Sequence, residues 1–231
     1  MTNAPAYHRT TGTLALVGAG PGARDLLTLR AMQRLQQADT IFYDRLVDED
    51  VLDLAPRTTR RVFVGKHVGA HSWPQEKIST AIVAEALKGR RVVRLKSGDP
   101  GIFGRAAEEL AAARAAGIEA EVVPGVTAAC AAAAQTGIPL TERGVADTLV
   151  LATAECQAGA PLPDCTRHAQ PGTTLVFYMS SRQGTRLRDG LLRNGMAPHT
   201  AVTIAADVSK PTARTVFCDI GTIPEAIEQH A

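Results

Sequence analysis

The sequence predicts two α/β domains in tandem, and three observations carry that prediction. Short aliphatic runs alternate with helical stretches from Thr13 to Val123, the pattern of βαβ units on a parallel sheet. Several of those runs end in glycine-rich or polar loops, the form that ligand loops take at the carboxyl edge of such a sheet. Gly137-Ile138-Pro139-Leu140 then breaks the alternation and reads as a hinge. The expected division is a polar tail over 1–11, an N-terminal α/β domain over 12–137 and a C-terminal α/β domain over 138–231.

The elements follow in order. Thr13 to Val17 is an apolar strand that runs into Gly18-Ala19-Gly20-Pro21-Gly22-Ala23. Asp25 or Thr28 can cap the next helix, whose inner face is expected to carry Leu29, Met32 and Leu35, with Leu26 extending the stripe. Thr40 to Tyr43 is a second strand, ending in Asp44-Arg45, and Arg61 to Val64 is a third, ending in Gly65-Lys66. Pro74 opens a helix that stops at Gly89.

Val92 to Leu95 is a short buried strand, broken by Ser97-Gly98-Asp99-Pro100-Gly101, and an Ala/Glu-rich helix follows from Arg105 to Ala116. Glu119 to Val123 is a fifth strand, ending in Pro124-Gly125-Val126-Thr127-Ala128, before the alanine-rich helix that Gly137 ends. Beyond the hinge, Thr148–Thr153, Thr173–Tyr178, 201–206 and 213–218 are strands. Residues 156–172 read as surface loop, 182–194 as helix, and Pro224 starts a short terminal helix.

Composition excludes several classes. Net charge is +2 and aromatics are 4%, too little field and too few stacking platforms for a nucleic-acid binder. No apolar run reaches the length of a membrane helix, and the N-terminus lacks the apolar core of a secretory signal. Four cysteines without CxxC spacing read as reduced thiols of a cytoplasmic protein. His67 and His71 are spaced like a metal pair, but they lie in an expected loop without a third ligand, so no metal is expected.

Five strands ending in GAGPG, YDR, GK, SGDP and PGVT place five polar loops on one sheet edge, which points to a cleft for a polar ligand. Asp99 is placed to accept hydrogen bonds from it, and Arg105 opens the next helix with Glu108 one turn along. Taken literally, Gly18 to Ala23 followed by Asp44 also satisfies a dinucleotide fingerprint, which makes a nicotinamide or flavin oxidoreductase a competing reading. Pro21 is unusual there, because it removes an N–H that a pyrophosphate would use.

With these loops in order, the chain resembles the tetrapyrrole methylase family. VGAGPG, LLTLRA, YDRLV, VGK, HSxPQ, VVRLKxGDPxIFGR, VPGVTAA, GIPLT and TLVFYM carry the match over nearly the whole length. The resemblance implies two α/β domains with the active site in the cleft between them, S-adenosylmethionine as methyl donor, and a homodimer. Within the family it is to the enzymes that C-methylate uroporphyrinogen III at C2 and C7, giving precorrin-2 on the way to sirohaem, cobalamin and haem d1.

By the same resemblance, Pro21, Ser97, Gly98, Asp99, Ile102, Thr127, Ala128, Met179 and Val208 match cofactor positions. Asp44 and Lys66 match the proton acceptor and donor, and Arg45, Arg105, Glu108 and Arg143 match positions that hold the macrocycle. Arginine suits a substrate with eight carboxylates, because its planar fork pairs them bidentately. A sulfonium methyl is already electrophilic, so what the protein must supply is alignment and a place for the lost proton.

The chain departs from the family pattern at several points. Ser97 stands where many relatives have glycine, and Val208 lies near a position that is often Gly or Ala. Thr153-Ala154-Glu155 replaces a common Thr-Gly-His, and Glu142 stands where histidine is frequent. Relatives usually continue past the last helix into one more apolar strand, which predicts an open sheet edge or one covered by the dimer. The remaining alternatives are a methylase of a later corrinoid precursor and a non-catalytic tetrapyrrole-binding paralogue.

Overall fold

The computed structural model describes residues 11–65, 73–155 and 164–230. The polar tail (apart from Thr11), Lys66, His67, His71 and Cys156 lie outside them. The chain divides into two compact units, Met1–Ala128 and Ala129–Ala231. The division thus falls at the start of the alanine-rich helix rather than at its end.

In the first unit, five strands form one all-parallel sheet: β1 (Thr13–Gly18), β2 (Thr40–Tyr43), β3 (Arg60–Phe63), β4 (Arg91–Lys96) and β5 (Glu119–Val123), in the order β3-β2-β4-β1-β5. Parallel strands covered on both faces need apolar residues on both faces, and β1, Thr-Leu-Ala-Leu-Val-Gly, is buried from Leu14 onward. Ala15, Val17, Ile41, Val93 and Leu95 face α1 (Leu29–Gln37) and α2 (Glu49–Leu52). Leu14, Leu16, Phe42 and Val92 face α3 (Gln75–Ala86) and α4 (Ala106–Ala115).

Two local expectations need correction. Thr28 caps α1, its hydroxyl accepting the Ala31 N–H at 3.1 Å, so Leu29 is the first helical residue and stands 77% exposed. The buried stripe is Ala31 and Leu35, four apart, and Leu26 belongs to a separate 3-10 turn, Arg24–Leu26. The stretch 156–172 is not all surface loop either. Cys165–His168 forms a 3-10 turn with Cys165 and Thr166 buried, and the Thr166 hydroxyl accepts from Asn194 at 3.0 Å.

In the second unit, β6 (Thr148–Thr153) and β7 (Thr173–Tyr178) pair in parallel, and β8 (Ala201–Ala206) and β9 (Arg214–Asp219) pair antiparallel. α6 (Gly184–Arg193) and α7 (Ile223–His230) supply Leu187, Leu191 and Ile223 to the core. α5 (Ala128–Thr136) is tied to this unit at both ends. The Tyr178 hydroxyl accepts the Ala129 N–H at 3.2 Å, and Gln135 accepts the Ser209 N–H at 3.1 Å. Gly137, at φ +69°, ends the helix.

Candidate active site

Because all five strands of the first unit are parallel, their carboxyl ends share one edge. Three loops meet there through their backbones. Gly98, at φ +67°, exchanges hydrogen bonds with Gly20 (2.7 and 3.3 Å), and Ala19 donates to the Lys96 carbonyl at 2.7 Å. A Cβ on Gly125 would lie 2.2 Å from the Gly98 oxygen, and one on Gly18 would lie 2.6 Å from the Gly125 Cα. Only glycine permits that approach. Asp99 closes the junction: its Oδ1 accepts the Gly101 N–H at 2.7 Å and its Oδ2 accepts the Gly125 N–H at 3.0 Å.

Around this junction Pro21 and Gly98 are buried, and Ser97, Asp99, Ile102, Thr127 and Ala128 are half-buried. The structure therefore brings together the cofactor candidates of the first unit, while Lys66, the proton-donor candidate, lies outside the described residues. Ser97 and Asp99 keep unshared acceptor capacity, since a carboxylate has about four lone-pair sites. Hydroxyl and carboxylate groups beside a backbone cradle suit the ribose and amino-acid parts of S-adenosylmethionine, so the residues fit that group. Ser97, which the sequence comparison with the family singled out, is half-buried at this junction.

The same edge does not have dinucleotide geometry. In the doubly wound dinucleotide fold the second strand lies beside the first. Here β4 separates them, so Asp44 at the end of β2 stands two strand steps, about 10 Å, from the first glycine loop. That loop is engaged with Gly98, and a 3-10 turn follows it instead of a helix N-terminus.

Asp44 is half-buried and held by two donors. Its Oδ1 accepts the Leu46 N–H at 3.1 Å and its Oδ2 accepts from Arg94 at 3.3 Å. Among the described residues its charged partner is Arg94, and Arg45 is exposed. Arg105 caps α4 in the left-handed region at φ 55°, two residues after Phe103 at φ 52°. Strained backbone of this kind concentrates at functional sites. The Arg105 guanidinium binds Glu108 bidentately at 2.7 and 2.8 Å and holds its carboxyl below the usual carboxylate range.

The sequence reading missed a buried ionic cluster behind these groups. Glu109, fully buried, accepts from Lys96 at 2.9 Å, Gln75 at 3.0 Å and Arg94 at 3.2 Å. Burial pushes the Lys96 ammonium down, Arg94 adds to that, and Glu109 opposes it. The available signal was the pair Arg94 and Lys96, two apart in the strand Arg-Val-Val-Arg-Leu-Lys, which puts both on one face.

In the second unit, Met179 follows β7 at φ 55° and is 47% exposed. Val208 is buried between Asp207 and Ser209, at φ 48° and 63°. Arg143 is exposed in a tight turn closed by Glu142 and Ala146. Among the described residues no group of three or more His, Cys, Asp or Glu is placed to hold a metal, and no described helix is long and apolar enough to cross a membrane.

The chain belongs to the Tetrapyrrole (Corrin/Porphyrin) Methylases, whose model matches residues 13–224, and its parallel sheet with glycine-stitched carboxyl-edge loops and second α/β unit agrees with that. Among curated relatives, the siroheme synthase of Enterobacter sp. (strain 638) is 44% identical over 98% of this chain and 50% of its own length. The chain thus spans about half the length of the curated relatives it matches. Among solved structures, the uroporphyrin-III C-methyltransferase of Thermus thermophilus complexed with S-adenyl homocysteine is 36% identical, with TM-score 0.79, over 93% of this chain and 86% of that one. A cobalt precorrin-4 methyltransferase is 25% identical, with TM-score 0.83, over 98% and 93%.

Proposed function

We propose that the chain is an S-adenosylmethionine-dependent C-methyltransferase that methylates uroporphyrinogen III at C2 and C7 to give precorrin-2. The observation that carries the reading is the placement of Pro21, Ser97, Gly98, Asp99, Asp44 and Arg105 along one sheet edge. The 36% identity to the Thermus methyltransferase that binds S-adenyl homocysteine supports it.

Bound S-adenosylmethionine supplies a sulfonium methyl: its S–C bond breaks, the electron pair stays on sulfur as S-adenosylhomocysteine, and a C–C bond forms at the pyrrole carbon. The chain's residues do the rest. The loops joined by Asp99 and Gly125 hold the donor. Arg45, Arg105 and Arg143 engage the substrate carboxylates, and Glu108 keeps the Arg105 fork extended until a carboxylate replaces it. Asp44, with one oxygen on a backbone N–H and the other on Arg94, takes the proton that the methylated macrocycle loses. Lys66, Met179 and Val208 enter as the remaining donor and cofactor contacts implied by the resemblance. A homodimer, also implied by it, is read by sedimentation.

A second reading, methylation of a later corrinoid precursor, draws on the higher TM-score to the cobalt precorrin-4 methyltransferase. The lower identity there and the retained arginines at 45, 105 and 143 favour the first. Anaerobic incubation with uroporphyrinogen III and S-adenosylmethionine, then mass spectrometry of the oxidised macrocycle, tests it. A gain of two methyl groups is expected. No gain, with S-adenosylhomocysteine still bound in calorimetry, overturns the substrate. Binding of NAD in its place overturns the reaction class.

A further inference from the structure

We propose that Arg94 is a positioning residue for Asp44, braced by Glu109. The inference rests on the reading of Asp44 as proton acceptor and extends it to residues that do not touch substrate.

Arg94 lies on the central strand of an all-parallel sheet with its side chain 5% exposed. An aliphatic residue would be cheaper there, because a buried guanidinium costs several kcal/mol unless fully partnered. Each of its nitrogens has a partner. Nε donates to Glu109 at 3.2 Å, one terminal nitrogen to the carbonyls of Leu95 (2.7 Å) and Phe42 (3.5 Å), and the other to Asp44 at 3.3 Å. Three of these partners are rigid: two strand carbonyls and a carboxylate out of water. The fourth, Asp44, is 29% exposed at the ligand edge.

Arg94 therefore transmits a fixed geometry from β2, β4 and α4 to one half-exposed carboxylate. Leu46 holds the other Asp44 oxygen, so both oxygens are aimed. Charge balance agrees, since two cations, Arg94 and Lys96, face two carboxylates, Glu109 and Asp44. Glu109 alone leaves the cluster with an excess positive charge. Arg105 is also the N-cap of α4, so one helix braces the base at one turn and carries a substrate arginine at its start.

Arg94→Lys keeps the charge but loses the planar fork that reaches four acceptors. The expected result is a fall in kcat of about 100-fold, the cost of misplacing a catalytic group by about an ångström. KM for uroporphyrinogen III and the affinity for S-adenosylhomocysteine are expected to stay within about threefold. The deciding readout is a cycle with Asp44→Asn. If Arg94 acts through Asp44, the double variant is no slower than Asp44→Asn alone. Losses that multiply, or an Arg94→Lys enzyme with full kcat, overturn the proposal. If Arg94→Lys does not fold, Glu109→Gln carries the same cycle, and failure of both to fold makes the cluster plain scaffold and overturns it too. An inactive unmodified chain overturns the parent reading, and this inference with it, whereas multiplying losses in an active chain overturn this inference alone.

Discussion

The Oδ2 of Asp99 accepts the backbone N–H of Gly125 at 3.0 Å, joining the loop after β4 to the loop after β5. Its Oδ1 is already on Gly101, so the residue needs both oxygens. Asp99→Asn keeps one acceptor and presents an NH2 group to the other N–H. S-adenosylhomocysteine affinity is expected to fall about tenfold, equivalent to about 1.4 kcal/mol. Calorimetric titration reads it, and an unchanged affinity would separate the junction from the donor site.

Gly125→Ala tests the close approach itself. Its Cβ would meet the Gly98 oxygen at 2.2 Å, so the loops must part. A loss of about 1–3 kcal/mol of stability is expected, together with weakened S-adenosylhomocysteine binding. Gly195→Ala, where a Cβ meets nothing within 4 Å but φ is +86°, is expected to cost about 1–2 kcal/mol from backbone conformation alone and to leave binding unchanged. Urea denaturation and titration of the two variants check this.

Arg105 separates substrate from cofactor. Arg105→Ala is expected to abolish turnover while leaving S-adenosylhomocysteine affinity within about twofold, because the loss is on the macrocycle side. Its φ of 55° adds a stability prediction. Arg105→Gly, equally unable to bind a carboxylate, should be more stable than Arg105→Ala by about 1–2 kcal/mol. Parallel melts and activity assays read both effects.

Glu85 governs part of the acid stability. It is buried and meets Lys88, Arg90 and Arg60 at 2.6, 2.6 and 3.4 Å. The hydrogen bond from Lys88, with further help from the nearby arginines, holds its carboxyl below its ordinary value of 4.5. A lowered acid stabilises the fold above its unfolded pKa, and that contribution fades as pH falls through the folded value. Glu85→Gln is therefore expected to cost about 1.5–3 kcal/mol at neutral pH. The gap should close below pH 4.5. Denaturant midpoints across pH measure it.

The first-unit strands were legible because doubly covered parallel strands are near-continuous aliphatic runs, and their loops because glycine marks close backbone approach. The face of α1 was misread because a spacing of three favours Leu29, while the Thr28 cap makes Leu29 the first residue of the helix and leaves it outside the core. Strand order was not legible. That β4 lies between β1 and β2 is a tertiary fact, and it removes the dinucleotide geometry that Gly18 to Asp44 suggests in sequence. Arg94, Lys96 and Glu109 escaped for the same reason. Charged residues in a strand and a helix read as solvated until packing brings them together 13 and 15 residues apart.

The central claim is methyl transfer to two defined carbons of uroporphyrinogen III. Anaerobic incubation of the chain with that substrate and S-adenosylmethionine carrying a 13C methyl group, read by 13C NMR of the macrocycle, tests it most directly. Two labelled methyl groups, at C2 and C7, are the predicted result. Label appearing only on a corrinoid precursor offered in parallel, with none on uroporphyrinogen III, would contradict it.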